Sequence, residues 1–160
     1  MEVVAREDTR RRNWACAWSP DGARLAVCGT GPDVFVYAVV RGAAGAAVSL
    51  RAEAVLDLTA AARRHAAAAG VTIGRITIKD TKSRWGSCSA RGDLSFSWRL
   101  ILAPPYVLDY LAAHEVAHLI EMNHSARFWR VVGRICPATE RAKKWLDTHG
   151  NDLHRYGIKD

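Results

Sequence analysis

The feature that most constrains the fold of this chain is a pair of histidines four residues apart, in the segment His114-Glu115-Val116-Ala117-His118. On a helix, positions four apart lie only about 40° apart around the axis, so both imidazoles can reach one ion. Apolar residues within and around this segment fall on the opposite side of such a helix, namely Leu108, Ala112, Val116, Leu119 and Ile120. We therefore expect a helix over residues 106–122 with one buried face and one metal-bearing face.

The spacing H-E-x-x-H is typical of zinc-dependent hydrolases, in which neutral imidazoles bind the metal and the glutamate acts on the zinc-bound water. The sequence therefore predicts one Zn²⁺ ion bound by His114 and His118, with Glu115 as the catalytic base. In peptide hydrolysis, this base takes a proton from the attacking water and passes it to the leaving amine.

Catalytic zinc has three protein ligands and one open position, so a third ligand is needed. His124 is the first candidate, because Asn123 can end the helix in a left-handed conformation and Ser125 can cap the next helix. His124 would then lie on the turn between the two helices. Glu140, on a later helix, is the alternative ligand.

An alternating segment precedes this helix: Leu94, Phe96, Trp98 and Leu100 alternate with Ser95, Ser97 and Arg99. The pattern predicts a strand with one buried and one polar face. Gly92 supplies a turn, so residues 82–88 should pair back as the other arm of a hairpin. Residues 71–79 predict a further strand with a bend at Gly74, and the alanine-rich residues 52–69 predict a helix that ends at Gly70.

The hairpin arm is the candidate substrate platform. Its residues Arg84, Trp85, Gly86 and Ser87 can form an edge along which an extended peptide lies. Cys88, which follows them, is interpreted as an inert thiol rather than a nucleophile or a fourth ligand. His65, in the arginine-rich half of the first helix, is interpreted as a surface residue.

The N-terminal part has a different pattern. Residues 14–40 predict a β meander around the turn Ser19-Pro20-Asp21-Gly22, and the stretch resembles part of a WD-type repeat. The small residues Gly42 to Ala47 are interpreted as a linker. We expect two parts: a β-rich extension over residues 1–50 and a catalytic domain over residues 51–160.

Composition limits the location and the partners of the protein. The N-terminus has no apolar leader and no run of eighteen apolar residues, and the four cysteines include no C-x-x-C pair. These features indicate a cytoplasmic protein with no membrane partner. The net charge of +7 is spread over short runs, so nucleic acid is a weaker candidate partner than a protein or peptide substrate.

Four segments together resemble the YgjP-like metallopeptidases, relatives of the WLM and SprT-like zincins. They are TKSRWGSCS (81–89), LSFSWRLILAPP (94–105), HEVAHLIEMNHSARFW (114–129) and CPATERAKKWL (136–146). The resemblance implies a zincin-like core, in which a small antiparallel sheet packs on the active-site helix. Together with the short N-terminal β meander, this predicts an α+β fold. It also implies that His114, His118 and His124 bind zinc. Two alternatives stay open: hydrolysis of nucleoside triphosphates, and a DNA-associated protease.

Overall fold

The computed structural model describes residues 2–5, 15–18, 24–28, 34–38, 43–81 and 83–154, with side chains from residue 51 onwards. The chain divides into two units, residues 1–52 with 158–160, and residues 53–157. The first unit contains an antiparallel sheet in the order β1-β2-β3-β4. Its strands are β1 (Glu2–Ala5), β2 (Ala15–Trp18), β3 (Arg24–Cys28) and β4 (Val34–Ala38). The predicted meander is therefore present, with one strand added before it.

Helix α1 (Ala43–Ala69) is longer than the sequence predicted, and the linker assigned to Gly42–Ala47 is wrong for residues 43–47, which are helical. Alanine has the highest helix propensity, so the four alanines around Gly45 offset the low helix propensity of that single glycine. The C-terminal end lies where it was expected. Gly70 has a φ of 70°, and the N–H of Val71 donates to the carbonyl of Ala66 at 3.0 Å, which closes the helix.

A three-stranded sheet precedes the helix that carries the histidine pair. Its strands are β5 (Ile76–Lys79), β6 (Gly86–Cys88) and β7 (Leu94–Ser97), in the order β5-β7-β6. The predicted hairpin is confirmed, since β6 pairs antiparallel with β7 through a turn in which Gly92 has a φ of 81°. The sheet is mixed rather than wholly antiparallel, because β5 pairs parallel with the opposite edge of β7.

The predicted strand over residues 94–100 ends early. Residues Trp98–Leu102 form a 3₁₀ helix, and the expected polar face is wrong because Ser97 and Arg99 are both buried. Buried charge needs a partner, and the guanidinium of Arg99 donates to the carboxylate of Asp80. This pair explains how an arginine enters the interior.

Three helices follow: α2 (Pro105–Ala117), α3 (Ala126–Ile135) and α4 (Thr139–Leu153). Helix α2 is central, since it contacts β6, α3 and α4. Its buried face includes Val107, Leu111, Ala112, Val116 and Ala117. In the part of the chain that the structure describes, no helix is long and apolar enough to cross a membrane.

Helix α2 ends five residues before the predicted end at Met122. The N–H groups of Leu119 and Ile120 each donate to the carbonyl three residues back at 3.0 Å, so the last turn tightens. Among the described residues, only glycines have a positive φ, so Asn123 does not adopt the left-handed conformation predicted for it. The chain still turns before α3, and His124 lies on that turn.

The interpretation of His65 as a surface residue is wrong. Its side chain is buried, and its Nε2 lies 2.8 Å from Oδ1 of Asp109 on α2. Arg64 pairs with the same carboxylate. The arginine-rich half of α1 is thereby fixed to α2, which carries the histidine pair.

Candidate metal centre

Three histidines from two consecutive segments converge at one point. His114 and His118 lie on the last turn of α2 and just beyond it, and His124 lies on the turn to α3. One ring nitrogen from each lies within 4.8 Å of the other two, and the Nε2 atoms of His114 and His124 are 3.0 Å apart. Such a set of three imidazole nitrogens is a donor set that suits zinc.

Two of the histidines have their other ring nitrogen in a hydrogen bond. Nδ1 of His114 lies 3.3 Å from the hydroxyl oxygen of Tyr110, and Nδ1 of His118 lies 3.1 Å from the backbone carbonyl of Glu121. The carbonyl of Glu121 only accepts, so it holds the proton of His118 on Nδ1 and leaves the lone pair on Nε2. The Tyr110 hydroxyl has the same effect on His114 when it accepts from Nδ1. Sequence reasoning missed both partners, although Tyr110 lies four residues before His114 and hence on the same helix face.

His114 and His118 are held in the neutral form that a metal requires. Burial, together with the nearby His118 and His124, lowers the pKa of His114 to about 4. Burial also lowers the pKa of His118. Near neutral pH both side chains are therefore uncharged imidazoles with a free lone pair.

An aromatic side chain of α3 supports the cluster. The Phe128 ring lies 4.9 Å, 4.5 Å and 4.7 Å from the rings of His114, His118 and His124, measured between centroids. Phe128 is fully buried, which fixes its position. The start of α3 was predicted correctly, since Oγ of Ser125 accepts a hydrogen bond from the N–H of Phe128 at 3.3 Å.

Glu115 is buried and lines the same cleft as His114. Its side chain is only 4% exposed. Burial raises the pKa of its carboxyl to about 7, against the opposing effect of the positive Arg84. A carboxyl that titrates near neutral pH can both accept and donate a proton.

An open cleft of about 420 Å³ is lined by both His114 of the histidine cluster and Glu115. It is lined by Trp85, Gly86, Tyr110, Leu111, His114, Glu115, Lys143, Leu146 and Asp147. Of the four residues predicted as a substrate platform, Trp85 and Gly86 line this cleft. Arg84 is exposed outside the lining and acts on Glu115 through its charge, while Ser87 pairs with Ser95 in the sheet.

The wall formed by α4 was missed at the sequence level. Lys143, Leu146 and Asp147 follow the spacing i, i+3, i+4 and so share one helix face, which is the signal that could have found them. Glu140, the alternative ligand, is outside the histidine cluster, and its carboxylate lies 3.2 Å from Nζ of Lys143.

Cys88 does not have the properties of a nucleophile. Burial, followed by the negative charges of Glu115 and Asp93, raises the pKa of its thiol to about 11. Its Sγ donates to the carbonyl of Ser89 at 3.4 Å. A thiol in this state is protonated at neutral pH and reacts slowly.

Comparisons with known proteins show the fold and the family of the chain. The chain is similar to the crystal structure of the metallopeptidase zymogen of Pyrococcus abyssi abylysin, with a TM-score of 0.52 and 24% sequence identity. The similarity covers 63% of this chain and 99% of that one, and it shows a shared fold. No curated protein sequence matches the chain significantly, and no comparison supports the WD-type resemblance of the N-terminal stretch. The sequence model of the YgjP-like metallopeptidase domain matches residues 43–149, and the chain therefore belongs to the YgjP-like metallopeptidase family.

Proposed function

We propose that the chain is a zinc-dependent peptidase, with His114, His118 and His124 as metal ligands and Glu115 as the catalytic base. The observation that carries this proposal is the convergence of three imidazole nitrogens within 4.8 Å, beside a buried carboxyl in an open cleft. Three imidazoles would supply three ligands to a zinc ion and would leave one coordination position open for water or substrate.

The donor set fits zinc in its chemistry as well as in its number. The lowered pKa values of His114 and His118 leave both imidazoles neutral. The hydrogen bonds at Nδ1 leave Nε2 as the atom with the lone pair that can bind the metal. When bound, a zinc ion supplies a Lewis acid that polarises the scissile carbonyl and makes a nearby water more acidic.

The residues of the chain then divide the remaining tasks. Glu115 accepts the proton of the attacking water and returns it to the leaving amine, for which a pKa of about 7 is suited. Arg84 opposes the rise of that pKa and so keeps part of the carboxyl ionised at neutral pH. Strand β6 lies at an edge of its sheet; its first residue Gly86 and the preceding Trp85 line the cleft where a peptide backbone would lie.

The domain assignment and the location form part of the same proposal. Residues 51–160 carry the activity, and residues 1–50 form an extension with a sheet of its own. The protein acts in the cytoplasm, since the described cysteines Cys88 and Cys136 are free thiols, which suit a reducing compartment.

Zinc content tests the ligand assignment. The purified protein should hold one zinc ion per chain, and His124→Ala should reduce this content strongly while Glu140→Ala retains it. Thermal unfolding of each variant serves as the control for folding. Retention of zinc in His124→Ala and its loss in Glu140→Ala would overturn the ligand set.

Turnover tests the reaction. Glu115→Gln should keep the zinc content and lose peptidase activity by about 100-fold or more, because a positioned general base contributes about that much. The same preparations are assayed on a peptide library and on nucleoside triphosphates. Hydrolysis of nucleotides without peptides would exclude the peptidase and favour a pyrophosphatase.

A further inference from the structure

The side chain of Glu115 fills the space that a Cβ atom at position 86 would need. A Cβ atom built on Gly86 would collide with Oε1 of Glu115 and would lie 2.7 Å from both its Cδ and its Cγ. Real Cβ atoms do not approach other atoms this closely. The carboxyl arm of Glu115 therefore lies directly against the backbone of β6.

Space, rather than backbone conformation, requires the glycine. Among the described glycines, only Gly70 and Gly92 have a positive φ, so Gly86 has a backbone that other residues can adopt. Glycine inside a strand weakens the strand, and it often marks a place where another group approaches closely. Here the approaching group is a side chain of the same protein.

Strand β6 has little freedom to move away from Glu115. Gly86 pairs with Phe96 in β7, and the N–H of Ser97 donates to the carbonyl of Trp85 at 2.9 Å. The Trp85 ring stacks on His154 with centroids 4.5 Å apart, and a Cβ atom built on Gly150 of α4 would lie 3.5 Å from this ring. A methyl group at position 86 would thus displace the side chain of Glu115 rather than the strand.

We propose that Gly86 is a positioning residue, which holds the carboxyl of Glu115 against strand β6 by leaving room for it and so fixes the distance of the base from the three histidines. The proposal rests on the function proposed above for Glu115. It assigns to Gly86 a role different from that of a contact for the substrate backbone.

A double-mutant cycle tests the contact without any assay of activity. Gly86→Ala should lower the midpoint of thermal unfolding by about 4 °C, the order expected for overpacking by one methyl group. The loss should be the same in the Glu115→Gln background, since glutamine has the same shape. It should shrink to about 1 °C in the Glu115→Ala background, which removes all three colliding atoms. Equal losses in all three backgrounds would overturn the proposal.

Activity tests the positioning role. Gly86→Ala should lower kcat by about 100-fold, the cost expected for a catalytic group misplaced by about 1 Å, while KM changes less than about threefold. Zinc content should stay at that of the unmodified protein. A loss confined to KM would instead identify Gly86 as a substrate contact and would contradict the proposal.

Gly74→Ala is the matched control. A Cβ at Gly74 would lie 2.6 Å from Oδ1 of Asp93, so this variant also forces a methyl group onto a carboxylate, at a place outside the cleft. It should lose thermal stability with kcat unchanged. If the unmodified protein hydrolyses no peptide, the proposed function fails, whereas the thermal cycle still decides whether Gly86 holds Glu115.

Discussion

The hydroxyl oxygen of Tyr110 lies 3.3 Å from Nδ1 of His114, one helical turn along α2. Tyr110 is buried, and burial with nearby negative charge raises its pKa, so it stays a neutral phenol. Tyr110→Phe keeps the ring and removes the acceptor for His114. We expect the affinity for zinc to fall about 10-fold, the usual scale for the loss of a hydrogen bond to a ligand. Competition with a chromophoric chelator measures this change.

Tyr106→Phe is the control for that experiment. Tyr106 lies on the first turn of the same helix, and its ring lies under the guanidinium of Arg141 at 4.0 Å. The substitution keeps the ring and removes a hydroxyl that does not contact His114. Equal zinc affinities in Tyr110→Phe and the unmodified protein would show that the hydroxyl does not orient His114.

Local patterns in the sequence were sufficient to predict that the three histidines converge. The spacing of His114 and His118 fixes their relative direction on a helix, and the cap at Ser125 places His124 on the turn. The hairpin of β6 and β7 followed from alternation and one turn glycine. Each of these predictions depends on residues a few positions apart, where backbone geometry decides the outcome.

The predictions that failed depend on contacts between distant segments. His65 is buried because Asp109, 44 residues away, accepts its hydrogen bond. Arg99 is buried because Asp80 lies across from it. The contact between Gly86 and Glu115 likewise joins two elements, and periodicity within either segment contains no information about it.

The ion pair between α1 and α2 predicts a dependence of stability on pH. Burial alone would raise the pKa of Asp109, but the hydrogen bond from His65 and the positive charges of His65 and Arg64 outweigh it, so the pKa is lowered. A carboxyl with a lowered pKa stabilises the fold above its unfolded pKa of about 3.9, and this contribution is lost as the pH falls through the folded pKa. Asp109→Asn should therefore cost about 1–2 kcal/mol at pH 7 and progressively less below pH about 4. Urea denaturation of Asp109→Asn and of the unmodified protein, at pH 7 and at pH 3, measures the difference in their free energies of unfolding.

Asp57→Asn is the control for this prediction. Asp57 is exposed on the same helix as His65, so its replacement should change the free energy of unfolding by less than about 0.5 kcal/mol at either pH. A cost of Asp109→Asn that stays constant from pH 7 to pH 3 would show that the carboxylate charge does not stabilise the contact.

The thiol of Cys88 should react slowly with alkylating reagents in the folded protein. With its pKa raised to about 11, the thiolate fraction at pH 7.5 is about 300-fold below that of an ordinary cysteine with a pKa near 8.5. Mass spectrometry of the peptide containing Cys88, after timed exposure to iodoacetamide, gives the rate. The same peptide in the urea-unfolded chain is the reference. Rapid labelling in the folded state, or loss of turnover in Cys88→Ala, would restore Cys88 as a candidate nucleophile.

The cap at the start of α3 should affect both stability and metal binding. Oγ of Ser125 accepts from the N–H of Phe128, and Ser125 directly follows His124. Ser125→Ala removes this acceptor and should cost about 1 kcal/mol of unfolding free energy, while Ser125→Asp should retain most of it because aspartate also caps a helix and suits its positive N-terminus. In Ser125→Ala the turn that holds His124 should become less ordered, so the zinc affinity should fall. In Ser125→Asp the cap is restored, so the zinc affinity should stay close to that of the unmodified protein. Chelator competition measures this, and a loss of stability with unchanged zinc affinity in Ser125→Ala would show that the cap does not position His124.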